Sequence, residues 1–246
     1  MKDFKDKHKG KTFVIFGSGP SLLDWDDSFC GDVIKVGCNT VFMHKPNLDY
    51  YLIQDSGLMT GSKNGYCKFK NKYDKYQPSI KKFYGVSYFD KGRLHGHSLS
   101  PQDVKDGEAL TYSVGSVGSD SDFIEFYSVI FSCLQFADLC GAEKIIVVGC
   151  DVTNNIRVGE EQEHNGYKIT NLKKRWENFK NFYPHLNIKV FKPMGLKDLF
   201  KEYKIDLIVM GTQGATGAKE IFLGTHTMFT IKKVKCPVIA VPSGNK

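Results

Sequence analysis

The chain has 246 residues, 41% hydrophobic and 25% charged, an ordinary globular balance with length for one large α/β domain or for one domain plus a fragment. Its 34 basic and 27 acidic residues give a formal charge of +7, which suits an anionic ligand, nucleic acid or a membrane surface without choosing among them. Apolar runs reach only about six residues, which excludes a bilayer-spanning helix.

Residues 1–11 are basic, but no apolar segment of secretion-signal length follows them. Residues 12–16, Thr-Phe-Val-Ile-Phe, predict a buried strand. Gly17-Ser18-Gly19-Pro20-Ser21 breaks it, and Leu22-Leu23 opens a helical turn. A glycine turn between strand and helix frees N–H groups at a positive helix end, where a phosphate can sit. Pro20 suits the start of a helix, and glycines permit close backbone approach. The same turn serves equally well as a tight connection that binds nothing. Asp24, Asp26 and Asp27 then read as capping and solubilising charges.

A second strand, 33–39, ends on Asn39, whose amide stands where a nucleotide or sugar is read in an open α/β sheet, or where a turn is made. A third, 49–55, ends on Asp55, a carboxylate for a ribose hydroxyl, a metal, an acceptor hydroxyl or a simple cap. Residues 56–82 interleave lysines with Tyr66, Tyr73 and Tyr76. Such a run can bind single-stranded nucleic acid but reads as a solvated insertion, with no RNA-binding motif beside it. A fourth strand is expected near 83–89 and a loop over 91–121, in which His95 and His97 read as surface residues rather than metal ligands.

Residues 123–141 predict an apolar helix closed by Gly141. Residues 144–151, Lys-Ile-Ile-Val-Val-Gly-Cys-Asp, predict a central parallel strand ending on Asp151. A polar segment with His164 follows, then an amphipathic helix over 171–183 with Trp176, then a strand over 187–193. The alternation predicts an α/β fold, a doubly wound, mostly parallel Rossmann-like sheet. The seven cysteines, at 30, 38, 67, 133, 140, 150 and 236, show no C-x-x-C spacing and read as reduced thiols of a cytoplasmic protein.

The Gly-Ser-Gly-Pro-Ser-Leu turn, Cys38-Asn39 and the Gly-Ala-Glu-Lys-Ile-Ile-Val-Val-Gly-Cys-Asp block resemble two related groups. One is the family 42 sialyltransferases. The other is the 6-hydroxymethylpterin pyrophosphokinase-like and motility-accessory group. The resemblance covers residues 10–200. It implies a nucleotide-sugar-binding domain that transfers a sialic-acid-like sugar from a donor of the cytidine monophosphate (CMP) type to a glycan acceptor, with no metal required. Gly17, Ser18, Gly19, Pro20, Ser21 and Asn39 would hold the nucleotide, joined by Asp55 and Asp151, with His164 as general base. Two positions depart from the pattern: Ser18 stands where the family has Asn, and residues 128–130, Ser-Val-Ile, replace the Ser/Thr-Gly pair that starts the long helix. The pyrophosphokinase-like alternative implies ATP and magnesium held by Asp55 and Asp151.

Residues 204–246, within a fragment taken as 201–246, resemble the last third of a universal stress protein. Gly211-x2-Gly214-x9-Gly224-Thr225 matches that family's adenine-nucleotide phosphate motif and implies ATP at the tail, in a non-catalytic protein. The tail is expected to form a C-terminal β-α-β extension whose apolar strands dock on the main sheet or on a second copy, giving a homo-oligomer. No nucleic-acid partner is expected.

Overall fold

A computed structural model describes residues 1–45, 47–53, 81–87, 89–90, 93–94, 110–153, 169–204, 208–212 and 237–242. The basic, tyrosine-rich run up to residue 80, Asp55, His95, His97, His164, Gly214, Gly224 and Thr225 lie outside them. The chain divides into two compact units, Met1–Trp25 with Cys30–Tyr203, and Asp26–Phe29 with Lys204–Lys246.

In the first unit the strands are β1 (Thr12–Phe16), β2 (Ile34–Cys38), β3 (Tyr50–Ile53), β4 (Lys81–Ser87), β5 (Phe89–Asp90), β6 (Arg93–Leu94), β7 (Leu110–Gly115), β8 (Phe123–Ile124), β9 (Lys144–Val148), β10 (Ile188–Val190) and β11 (Lys201–Glu202). Nine of them form one parallel sheet in the order β11-β10-β9-β1-β2-β3-β4-β7-β8, while β5 and β6 pair antiparallel on their own. From β1 the chain builds outward to β8, then returns to β1's other side with β9. The direction of winding therefore reverses between β1 and β9.

The central strands are continuous apolar runs because both of their faces are covered. Phe13, Ile15, Val36, Tyr50, Leu52, Ile145 and Val147 join the core beneath helix α1 (Val129–Leu139). The alternate residues Phe16 and Tyr51 turn to the opposite face, where Trp25 and Phe42 meet them edge to face. Two short 3-10 turns, Pro20–Asp24 and Asn39–Met43, carry that second layer. Nine consecutive residues of α1, 129–137, are buried; helix α2 (Ile169–Phe182) adds Trp176 and Phe179, which pack on Phe131.

The predicted closure at Gly141 is observed. Gly141 takes φ 81°, and the N–H of Ala142 reaches back to the Ala137 carbonyl. The terminal carbonyls of α1 also receive N–H groups from the basic amino-terminal segment: Asp6 to Leu139, His8 to Cys140 and Gly10 to Gly141. Basic charge at the negative end of a helix is favourable, so this stretch works as a structural cap.

Two departures from the sequence reading exceed shifts of one to three residues at element ends, such as the strand expected over 144–151, which stops at Val148. Residues 110–115 are a strand, not loop, because Tyr112 and Val114 are buried in alternation with half-buried Ser113 and Gly115. The helix expected from residue 123 begins at 129. The Gln135 side chain occupies both the N–H and the carbonyl of Ile124, holding that residue extended, and Tyr127 takes φ 61°, outside the helical region.

In the second unit, β12 (Ile208–Thr212) and β13 (Val238–Pro242) pair in parallel, Ile208 opposite Val238 and Thr212 opposite Pro242. Two parallel strands require a crossover between them, in keeping with a β-α-β extension.

Candidate active site

In an open parallel sheet, ligands settle outside the carboxyl ends of the strands where winding reverses. Here that place is the end of β1 beside the end of β9. It is occupied by Gly17 to Ser21 on one side and by Gly149, Cys150 and Asp151 on the other.

The two turns interlock. The N–H of Gly17 donates to the Val148 carbonyl and that of Gly19 to the Gly149 carbonyl, each at 2.7 Å. A Cβ on Gly17 would lie 2.6 Å from the Gly149 carbonyl oxygen and 2.7 Å from the Cys150 Sγ. Gly149 has φ 70°, and a Cβ there would collide with the Gly17 carbonyl. These glycines are demanded by close backbone contact between β1 and β9, whatever binds above them.

The carboxylate of Asp151 completes the lock: Oδ2 accepts the N–H of Ser21 at 3.0 Å across 130 residues of sequence. The main-chain carbonyl of Asp151 accepts the N–H of Gly195 at 2.9 Å, so one residue fastens the turn after β1 and the turn after β10. The N–H groups of Gly17, Gly19 and Ser21 are thus consumed inside the protein. Ser18, half-buried, keeps both its N–H and its hydroxyl outside the hydrogen bonds among the described residues. The run of free N–H groups that the glycine pattern suggests therefore narrows to this one residue.

Asp151 and Ser21 are 6% and 5% exposed, yet Asp151 Oδ1 and Ser21 Oγ have no hydrogen-bond partner among the described residues. Asn39, the first residue of the turn after β2, adds a third such atom, its buried Oδ1. Its backbone is left-handed, φ 47°, a conformation Asn tolerates better than most residues. Buried polar atoms left unpaired are costly and uncommon. Three of them follow the carboxyl ends of the neighbouring strands β9, β1 and β2.

Cys150 Sγ lies against Gly17. Cys38 Sγ contacts the Phe16 carbonyl at 3.5 Å. Burial pushes the Cys133 and Cys150 thiols well above their ordinary range, reinforced for Cys133 by a hydrogen bond with Cys38 and for Cys150 by the charge of Cys38. Neither Cys133 nor Cys150 thus has the lowered pKa of a reactive thiol. Among the described residues, no group of three or more His, Cys, Asp or Glu is arranged to hold a metal ion. Asp55, the expected partner of Asp151 for magnesium, lies outside those residues.

The sequence points to the turn, to Asn39 and to Asp151 one by one. It does not point to Gly149 and Gly195 as their structural partners. A Cβ on Gly195 would strike the Val152 carbonyl. The available signal was the Gly149-Cys150-Asp151 ending of a strand, read only for its carboxylate. In the second unit, Gly211 lies within β12.

A universal stress protein family model matches residues 160–242, beginning well before the stretch singled out in the sequence. The universal stress protein Sll1388 of Synechocystis sp. is 36% identical over 56 residues, 22% of this chain and 36% of that protein. The chain thus spans about a third of the curated relative it matches. Among solved structures, two variants of the sialyltransferase CST-II in complex with CMP superpose with TM-scores of 0.52 and 0.51. Each is 13% identical and covers 79% of this chain and 87% of its own. The sialyltransferase CstII from Campylobacter jejuni, in complex with cytidine-5'-monophosphate, is 14% identical over 79% of this chain and 85% of its own, with a TM-score of 0.49. The likeness at these identities is one of fold: the α/β, Rossmann-like sheet is shared.

Proposed function

We propose that this protein is a glycosyltransferase that moves a sialic-acid-like sugar from a CMP-type donor to a glycan acceptor. Residues 1–200 serve as the nucleotide-sugar-binding domain and residues 201–246 as a universal-stress-protein-like fragment. The observation that carries the reading is the set of unpaired, buried polar atoms of Ser21, Asn39 and Asp151 at the reversal point of the sheet. The fold shared with CMP-bound sialyltransferases supports it.

In this reading Asn39 presents its amide to the nucleotide, and Ser18 supplies an N–H and a hydroxyl to the phosphate. Asp151 fastens the turn through Oδ2, which holds Ser21, and keeps its unpaired Oδ1 for a donor hydroxyl. His164 takes the proton of the acceptor hydroxyl as the new glycosidic bond forms. The bond from the sugar to the phosphate oxygen breaks, and its electron pair leaves with CMP. No metal enters this scheme.

Thermal denaturation of the full chain tests it, because a ligand of the folded state raises the midpoint with its occupancy. CMP raises Tm, and Asn39→Ala abolishes that rise. His164→Ala keeps the rise and loses turnover of a CMP-sugar. Absence of a CMP effect, or its survival in Asn39→Ala, overturns the proposal.

A second reading, a non-catalytic ATP-binding protein, is favoured by the family match over 160–242 and by the parallel β12–β13 pair. It predicts a rise in Tm with ATP that Asn39→Ala retains and Gly224→Val removes.

A further inference from the structure

A cavity on the helical layer shares no lining residue with the glycine turn, Asn39 or Asp151. Its volume is about 410 Å³, and its walls are residues 124–127, Val117 and one face of α2. That volume lies within the range of small-molecule sites.

The α2 wall follows helical spacing: Asn171, then Lys174 and Arg175, then Asn178, then Phe182. Opposite stands Tyr127, a large aromatic left 67% exposed. Its φ of 61° is an outlier for a bulky residue, of the kind retained where a side chain must be aimed. Three contacts hold it there. The Tyr127 N–H donates to the Glu125 carboxylate, the Arg175 guanidinium donates to the Tyr127 carbonyl at 3.2 Å, and the same guanidinium lies 5.1 Å over the ring. Phe182 adds a second exposed aromatic surface at 46%. The Lys174 ammonium makes no ion pair with the described residues.

We infer that this cavity is a saccharide-binding site for a pyranose that carries a carboxylate. The exposed rings of Tyr127 and Phe182 offer flat apolar faces to the C–H face of a sugar ring. The amides of Asn171 and Asn178, one helical turn to either side of the cation pair, supply donors and acceptors for its hydroxyls. Lys174 supplies the charge for the carboxylate. A neutral sugar would leave that ammonium unused, and a purely apolar ligand would bury the two amides unpaired. The site is independent of the nucleotide reading and stands or falls separately.

The test uses the full chain and two methyl glycosides, one of glucuronic acid and one of glucose, followed by saturation-transfer NMR and calorimetry. The glucuronide binds and the glucoside binds at least roughly tenfold more weakly. Tyr127→Gly removes the ring while adopting a positive φ without strain, so it folds at least as well as the parent and loses glucuronide binding. Lys174→Gln lowers glucuronide affinity to that of the glucoside. Equal binding of the two glycosides overturns the charged class of ligand. Failure of the glucuronide to bind up to about 10 mM, or binding unchanged in both variants, overturns the site.

Discussion

The end of β1 beside β9 and the β12–β13 pair are both parallel strand pairs that carry a glycine motif in the sequence, and they differ in how much surrounds them. β1 has a hydrogen-bonded strand on each side, and its residues 13–16 are buried. β12 and β13 pair only with each other among the described residues, and Ile239 and Val241 on β13 remain 49% and 45% exposed. In the first place glycines are required by packing before any ligand arrives. In the second they are known by their spacing. A glycine motif therefore says little about phosphate until the acceptors of its N–H groups have been counted.

The comparison breaks most sharply at Gly149. Gly149→Ala places a methyl group against the Gly17 carbonyl in a left-handed backbone, and should cost about 3 kcal/mol or more. Gly118→Ala is the control: φ is 86° but nothing lies within 4 Å, so only the backbone term of about 1–2 kcal/mol applies. Urea denaturation of both variants measures the difference. Equal losses would mean that the interlock contributes nothing.

Next in size is Asp151→Ala. It leaves the Ser21 N–H buried without an acceptor, a loss of about 1–3 kcal/mol by the same measurement. It should also weaken CMP binding, by loosening the turn, while leaving ATP stabilisation in place. A variant that loses both ligands equally would tie the two regions together.

The last effect is confined to alkaline pH. In the first unit, desolvation pushes the Tyr50 phenol, the Cys140 thiol and the Tyr183 phenol up to about 12. Cys133, Cys150 and Tyr112 also lie well above their usual range. The folded state keeps protons that the unfolded chain releases, so this stability is complete below about pH 9 and is lost as pH climbs toward 12. Tm should fall across that window, and less steeply in Cys140→Ala. A flat profile would show that these groups ionise without unfolding the sheet.

Strands buried on both faces were readable as apolar runs, which is why 12–16 was placed at its observed bounds and the strand expected over 144–151 was found, though it ends at Val148. β7 was not, because Ser113 and Gly115 take its less buried positions and imitate a loop. The start of α1 was missed because its limit depends on Gln135 reaching Ile124 and on the backbone of Tyr127, neither of which is a local preference. The same holds for the site. Residue types at strand ends marked the glycine turn, Asn39 and Asp151 separately. Only the folded order of strands brings Ser21 to Asp151, and no local pattern marks Tyr127 as an exposed ring on a strained backbone.

The interlock of Gly17 with Gly149 also acts as a key for assembly. β1 and β9 are apolar along their length, so sliding one past the other by a residue would still bury hydrophobic surface, though on exchanged faces. In a slipped pairing, Val148 or Cys150 would meet the Gly17 carbonyl, where only a residue without a side chain fits. Two strands distant in sequence, whose meeting is an intrinsically slow event, thus have one alignment that closes and neighbours that jam. The glycines at the mouth of the crevice help to set the register of the sheet beneath it.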